Sequence, residues 1–178
     1  MITHAAVLGA GSWGTALSIA LADRGLDVTL YGNDSAIRDE INTRHANSHY
    51  LPDIVLPDRI RATTEIAEVK EAALILLVVP SQVARLVLGQ LQTVGLPEST
   101  ILVTCTKGID PGSGKLMHDL IEEFFPQNPV AVLSGPSHAE EVARRSGSAR
   151  NLAGVFSPIA ATVHPGKLVR AQLVLSAA

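Results

Sequence analysis

The chain has 178 residues, 47% of them hydrophobic and 17% charged, with a formal net charge of −3, which fits one well-buried α/β domain or a domain with a fragment. That balance excludes a disordered chain, and the lack of a basic patch interleaved with aromatics argues against a nucleic-acid partner. A single cysteine, Cys105, leaves no internal disulfide, and the longest apolar run, residues 72–80, is about half of what a membrane-spanning helix needs.

The amino-terminal Met1-Ile2-Thr3-His4 carries no basic region of the kind that opens a secretory signal. The expectation is therefore a soluble, cytoplasmic protein without a transmembrane segment. An apolar strand over 5–8 then runs straight into Gly9-Ala10-Gly11-Ser12-Trp13-Gly14. Gly9, Gly11 and Gly14 fit the spacing G-x-G-x-x-G. The first glycine permits a tight turn, the second lets backbone approach a pyrophosphate, and the third lets a helix pack closely. A helix starting near Ser12 would aim free N–H groups and its positive end at phosphates.

That helix carries Leu17, Ile19, Ala20 and Leu21 and ends at Arg24-Gly25, glycine being favoured just past a helix. A second strand over 27–31 follows at the spacing of a βαβ unit. Beyond it, Asp34 is placed either to meet an adenosine ribose or to cap a helix over 35–43, and the phosphate state of the cofactor stays open. Residues 44–57 read as an irregular loop, in which His45 and His49 are solvated rather than metal ligands, since no Glu or Cys completes a site. A short strand over 60–63 and a short helix over 65–72 come next.

Leu74 to Val79 is a continuous apolar run, as expected of a parallel strand buried on both faces. Its end, Val79-Pro80-Ser81, lies where ligands bind in open α/β sheets, with Ser81 also able to cap a helix over 82–91. A strand over 101–105 holds Cys105 as a buried residue rather than a nucleophile and ends in Thr106-Lys107-Gly108. Lys107 at that strand end is placed to hold an anionic group. Gly112-Ser113-Gly114-Lys115 fails the P-loop pattern at Ile109 and Leu116, and reads as a turn into a helix over 115–125 with Leu116, Leu120 and Phe124 on its buried stripe. A last strand over 130–133 opens through Ser134-Gly135-Pro136-Ser137 into a helix containing 139–143. The expected fold is α/β, a Rossmann-type doubly wound, mostly parallel sheet with helices on both faces.

Five spaced stretches carry a resemblance: Gly9 to Leu17, Asn47 with Tyr50-Leu51-Pro52, Val79-Pro80-Ser81, Lys107-Gly108-Ile109, and Leu133 to Ser137 followed by Ala139-Glu140-Glu141. Together they resemble the bacterial NAD(P)-dependent glycerol-3-phosphate dehydrogenases, in order over residues 1–143. The resemblance implies hydride exchange between NAD or NADP and dihydroxyacetone phosphate or sn-glycerol 3-phosphate, feeding phospholipid synthesis. It implies cofactor contacts at Gly9, Gly11, Ser12, Trp13, Gly14, Asn33, Lys107 and Ala139, and substrate contacts at Lys107, Gly135 and Ser137. His138 replaces an aromatic residue common in the family. The resemblance also implies a helical carboxyl-terminal domain that supplies a catalytic lysine, and is compatible with a homodimer of the full-length protein. These residues do not include that lysine, so the expectation is a truncated chain of little activity. All acidic residues lie at or before Glu141, while Arg144, Arg145, Arg150, Lys167 and Arg170 follow without one. Residues 144–178 are therefore expected to be a basic tail, either out of frame with the domain at 1–143 or a natural interaction tail.

Overall fold

The computed structural model describes residues 2–133 and 138–144. Six strands, β1 (His4–Leu8), β2 (Asp27–Tyr31), β3 (Ile60–Thr63), β4 (Leu74–Leu77), β5 (Ile101–Thr104) and β6 (Val130–Val132), form one sheet in the order β3-β2-β1-β4-β5-β6. Every pairing is parallel. The strand order reverses direction between β1 and β4, which creates a crevice at the carboxyl edge of the sheet.

Side chains alternate between the two faces as the pleat requires. Ala5, Val7, Leu74, Leu76 and Val103 enter one core with α1 (Ser12–Asp23), α2 (Ser35–Arg44) and α5 (Ala139–Ala143). Ala6, Leu8, Ile75, Leu77 and Leu102 enter the other with α3 (Ser81–Val94) and α4 (Met117–Phe124). Both faces are covered, so β1 and β4 read as unbroken apolar runs. The doubly wound parallel architecture expected from the sequence is the one observed.

Three expectations about individual elements change. Residues 65–72 do not form an α-helix; only a 3-10 turn spans Ile66–Val69. The link from β3 to β4 passes three strand spacings, about 14 Å, with ten residues, of which only the four at Ile66–Val69 are helical. Helix α4 begins at Met117 rather than Lys115 because Ile109 and Leu116 pair across an antiparallel bridge. Asp110 N–H donates to the Lys115 carbonyl at 2.8 Å within that small hairpin. The buried side of α4 is consequently Met117, Leu120 and Ile121, with Leu116 51% exposed. Finally, Ser81 is the first residue of α3 rather than its cap, and Pro80 holds the cap position without a side-chain bond.

Candidate functional site

The site begins with the turn between β1 and α1. Gly9 has φ +124°, and a β-carbon there would come within 2.6 Å of the Val78 carbonyl oxygen, so a tight turn and close contact with β4 both require glycine. A β-carbon on Gly14 would stand 1.8 Å from the Gly9 carbonyl oxygen; glycine lets the first turn of α1 sit on the strand end. Gly11 differs from both. Nothing lies within 4 Å of the place its β-carbon would take, so the space it leaves is open cleft.

Gly11 is also the N-cap of α1 and has no side chain to satisfy the helix's first N–H groups. These groups and the positive end of the helix face the cleft, the arrangement that binds phosphate oxygens. Ser12 and Trp13 line the cleft beside them. The three roles assigned to the glycines from their spacing correspond to three different local geometries.

The cleft, about 1070 Å³, runs along the carboxyl ends of the strands. One wall is the end of β2, where Gly32, Asn33 and Asp34 meet the start of α2 with Ile37 and Arg38. Asp34 Oδ1 accepts hydrogen bonds from Ala36 N–H at 2.8 Å and Ile37 N–H at 3.4 Å. The capping role open in the sequence is thus observed, while the side chain still borders the cleft. The Arg38 guanidinium is held by Asp39 at 2.8 Å and Thr64 at 3.2 Å.

The opposite wall joins Val78, Val79, Pro80 and Ser81 after β4 with Cys105, Thr106 and Lys107 after β5. The Thr106 hydroxyl donates to the Val79 carbonyl at 2.7 Å, which ties the two strand ends together. Lys107 is exposed and has no hydrogen-bond or ion-pair partner among the described residues. Cys105 is 5% exposed, and burial pushes its thiol far above the ordinary range, the opposite of an activated nucleophile. Leu133, His138, Ala139 and Glu140 close the far end. Gly135 and Ser137, and residues 145–178 of the expected tail, lie outside the described residues.

After Lys107 in the chain, the hairpin 109–116 is clasped to α3 through Arg85. Buried Asp110 accepts from Arg85 Nη2 at 3.0 Å and from the Ser113 hydroxyl at 2.6 Å. Those two bonds, Ser113 first, hold its carboxyl below the ordinary value. Arg85 Nη1 and Lys115 Nζ both bind Glu123, at 2.9 and 2.8 Å, and bring that carboxyl down to about 2. His45 closes α2 in the left-handed conformation and His49 packs edge-on against Tyr50, so the two histidines do not share a helical turn.

Gly9, Gly11, Ser12, Trp13, Gly14, Asn33, Lys107 and Ala139 therefore gather around one cleft. Sequence reading did not single out Gly32, where a β-carbon would strike Ala10 Cβ at 2.8 Å, nor Arg38 on the wall, and Tyr50, also on the wall, entered only through the resemblance. Periodicity carries no signal for any of them; for Gly32, a glycine at a strand end facing a glycine-rich turn was the available cue.

An all-parallel 3-2-1-4-5-6 sheet with a glycine-rich turn at its switch point defines a dinucleotide-binding domain of the Rossmann class. The family model described as NAD-dependent glycerol-3-phosphate dehydrogenase N-terminus matches residues 4–154, and the chain belongs to that family. The glycerol-3-phosphate dehydrogenase [NAD(P)+] of Zymomonas mobilis is 45% identical over 160 residues, 90% of this chain and 46% of the relative. That of Bacillus cereus is 47% identical over 148 residues, 81% of this chain and 43% of the relative. Among solved structures, the glycerol-3-phosphate dehydrogenase of Coxiella burnetii superposes with a TM-score of 0.76 at 33% identity, over 88% of this chain and 51% of that one. The chain spans less than half the length of the two curated relatives.

Proposed function

We propose that this chain supplies the cofactor-binding half of a dehydrogenase that moves hydride between NAD(P)H and dihydroxyacetone phosphate, giving sn-glycerol 3-phosphate for phospholipid precursors. One observation carries the reading: the uncapped start of α1 and the unpartnered Lys107 border the same cleft. In this reading Gly9, Gly11 and Gly14 shape the turn, and Ser12 and Trp13 meet the pyrophosphate and its neighbourhood. Asn33 lies by the adenosine ribose, and Ala139 packs on the cofactor. Lys107 touches both cofactor and substrate phosphate or oxygen, and Gly135 and Ser137 bind the substrate. The open space at Gly11 fits the cofactor, because a cradle that a β-carbon would fill is what a pyrophosphate needs.

The nicotinamide supplies hydride; the protein must hold the ketone beside it and deliver a proton to the C2 oxygen from within about 2.6 to 3.2 Å. We assign that proton transfer to the lysine expected in the family's helical half, and assign no general base to residues 1–178. The domain is proposed to span 1–143, with 144–178 a separate basic stretch whose frame resequencing of the coding DNA tests. A cytoplasmic location and a homodimer of the longer protein complete the reading; among the described residues no helix is long and apolar enough to cross a membrane.

Two measurements test it. Quenching of the chain's sole tryptophan, Trp13, by NADH or NADPH should saturate. A spectrophotometric assay of the 178-residue chain with dihydroxyacetone phosphate and NADPH should show little turnover. Failure of both dinucleotides to bind refutes the cofactor reading, and robust turnover refutes the assignment of the base. The reading of a non-catalytic cofactor module is favoured over it if the chain is discrete in solution, binds tightly, and is indifferent to glycerol 3-phosphate.

A further inference from the structure

Asn47 stands in the irregular loop after α2, yet its side chain is completely buried. Its Nδ2 donates to the Ala10 carbonyl oxygen at 3.0 Å and to the Thr15 hydroxyl at 2.8 Å. The amide's orientation is fixed by Ala10, because a carbonyl only accepts. Oδ1 is left buried without a hydrogen-bond partner, an unfavourable outcome that the two donated bonds must outweigh. The loop itself is anchored: the Asn47 carbonyl accepts from Tyr50 and Leu51 N–H at 3.1 and 2.8 Å, and Leu51 and Leu56 are in the core.

Ala10 and Gly11 share one peptide group. In a planar trans peptide the N–H points opposite to the C=O. The Ala10 C=O is turned inward onto Asn47, so the Gly11 N–H is turned the other way, into the cleft that Gly11 lines. That N–H has no acceptor among the described residues. We propose that Asn47 is a positioning residue: by holding the Ala10 carbonyl, it aims the Gly11 N–H at a pyrophosphate oxygen of the bound dinucleotide. The proposal rests on the dinucleotide reading of the cleft and extends it to a residue 36 positions away that touches no ligand.

The same geometry explains why the Thr15 contact belongs to the device. Thr15 N–H donates to the Gly11 carbonyl at 2.9 Å, so Asn47 grips the turn at Ala10 and again, through Thr15, on the next peptide. Rotation of the Ala10–Gly11 peptide would break the first bond and leave a buried N–H of the Asn47 amide unpaired beside its already unpaired Oδ1.

The test is Asn47→Asp, nearly isosteric, in the 178-residue chain. A carboxylate faces the Ala10 carbonyl with an acceptor in place of a donor, and the peptide is pushed out of position. NADH affinity, read by Trp13 quenching, should fall about tenfold to a hundredfold at neutral pH. As pH falls the carboxyl protonates, becomes a donor, and the loss relative to the parent chain should shrink. The comparison is made at each pH because ionisable groups lie near the loop: Glu40 on α2, which accepts from Ser48, and His45 and His49. The glycine-rich turn and α1 carry no titratable group before Asp23. Adenosine, which lacks a pyrophosphate, should bind the parent and variant equally. If N47D does not fold, Asn47→Ser, uncharged and too short to reach Ala10, carries the same comparison of NADH with adenosine. Equal NADH affinity of parent and folded variant overturns the proposal, as does a parallel loss of adenosine. Failure of the parent to bind NADH overturns instead the reading on which it rests.

Discussion

Gly14→Ala and Gly11→Ala separate a glycine needed by the fold from a glycine needed by the ligand. At Gly14 the added carbon stands 1.8 Å from the Gly9 carbonyl oxygen and 3.0 Å from its carbon. Both are backbone atoms, so no rotamer relieves the overlap. Ordinary contact begins near 3.4 Å, and α1 must therefore retreat about 1.6 Å from the turn. The turn cannot yield in its place, since Gly9 N–H is bonded to the Tyr31 carbonyl at 2.9 Å and Gly9 is pressed against Val78. Overpacking of this kind costs about 3 kcal/mol, and the better helix propensity of alanine returns about 1 kcal/mol. The net loss of about 2 kcal/mol corresponds to a Tm lower by about 4 to 8 °C. At Gly11 φ is −77° and the added carbon meets nothing, so stability should change by less than about 0.5 kcal/mol while NADH affinity falls. Thermal unfolding and Trp13 quenching on the two variants decide the matter. A G14A chain with the parent's Tm, or a G11A chain that loses stability rather than affinity, would refute the reasoning.

Other perturbations probe the walls of the cleft and what supports them. Asp34→Ala removes the acceptor for two N–H groups at the start of α2 and should cost about 1 kcal/mol in urea unfolding; an unchanged ratio of NADH to NADPH affinity would show that capping is its whole role. Cys105 should resist alkylation in the native chain and react once in denaturant, because burial raises its thiol; rapid native labelling would contradict its placement. The Asp110 and Glu123 carboxyls are depressed in the folded chain, so their stabilising contribution is present above the unfolded values and is lost as pH falls through the folded ones, for Glu123 from about 4.5 down to about 2. Asp110→Asn should therefore narrow the difference between neutral and acid urea midpoints, and an unchanged difference would mean that the clasp on α3 contributes nothing.

The fold was legible in the sequence wherever a segment's own pattern decides its structure. Strand β4 is buried on both faces because α1 and α3 cover opposite sides of the sheet, and that double burial writes itself as Leu-Ile-Leu-Leu. Helix α1 is announced by the glycines before it and by Gly25 after it, which has φ +86°. Failures fell where a neighbour overrode the local pattern. Lys115 and Leu116 have the spacing to begin a helix, yet Ile109 draws Leu116 into a bridge and delays the helix to Met117. Residues 65–72 have the composition of a helix, yet only Ile66–Val69 turn, and as a 3-10 segment.

The site divides along the same line. The places of Gly9, Gly11, Gly14 and Lys107 on the cleft are readable because each follows from what the residue does to its own backbone or from its position at a strand end. Asn47 is not readable in that way. As a polar residue in a polar loop it has the pattern of a solvated side chain, and only the packing of Leu51 and Leu56 into the α1 face brings its amide beneath Ala10. The burial that hides it also defines its action. A donor placed there controls the turn through one peptide plane, so the glycine spacing defines a clamp whose aim is set by a side chain outside the motif. A chain with all three glycines and no donor at this place should retain the fold of the clamp and lose part of its grip on the pyrophosphate.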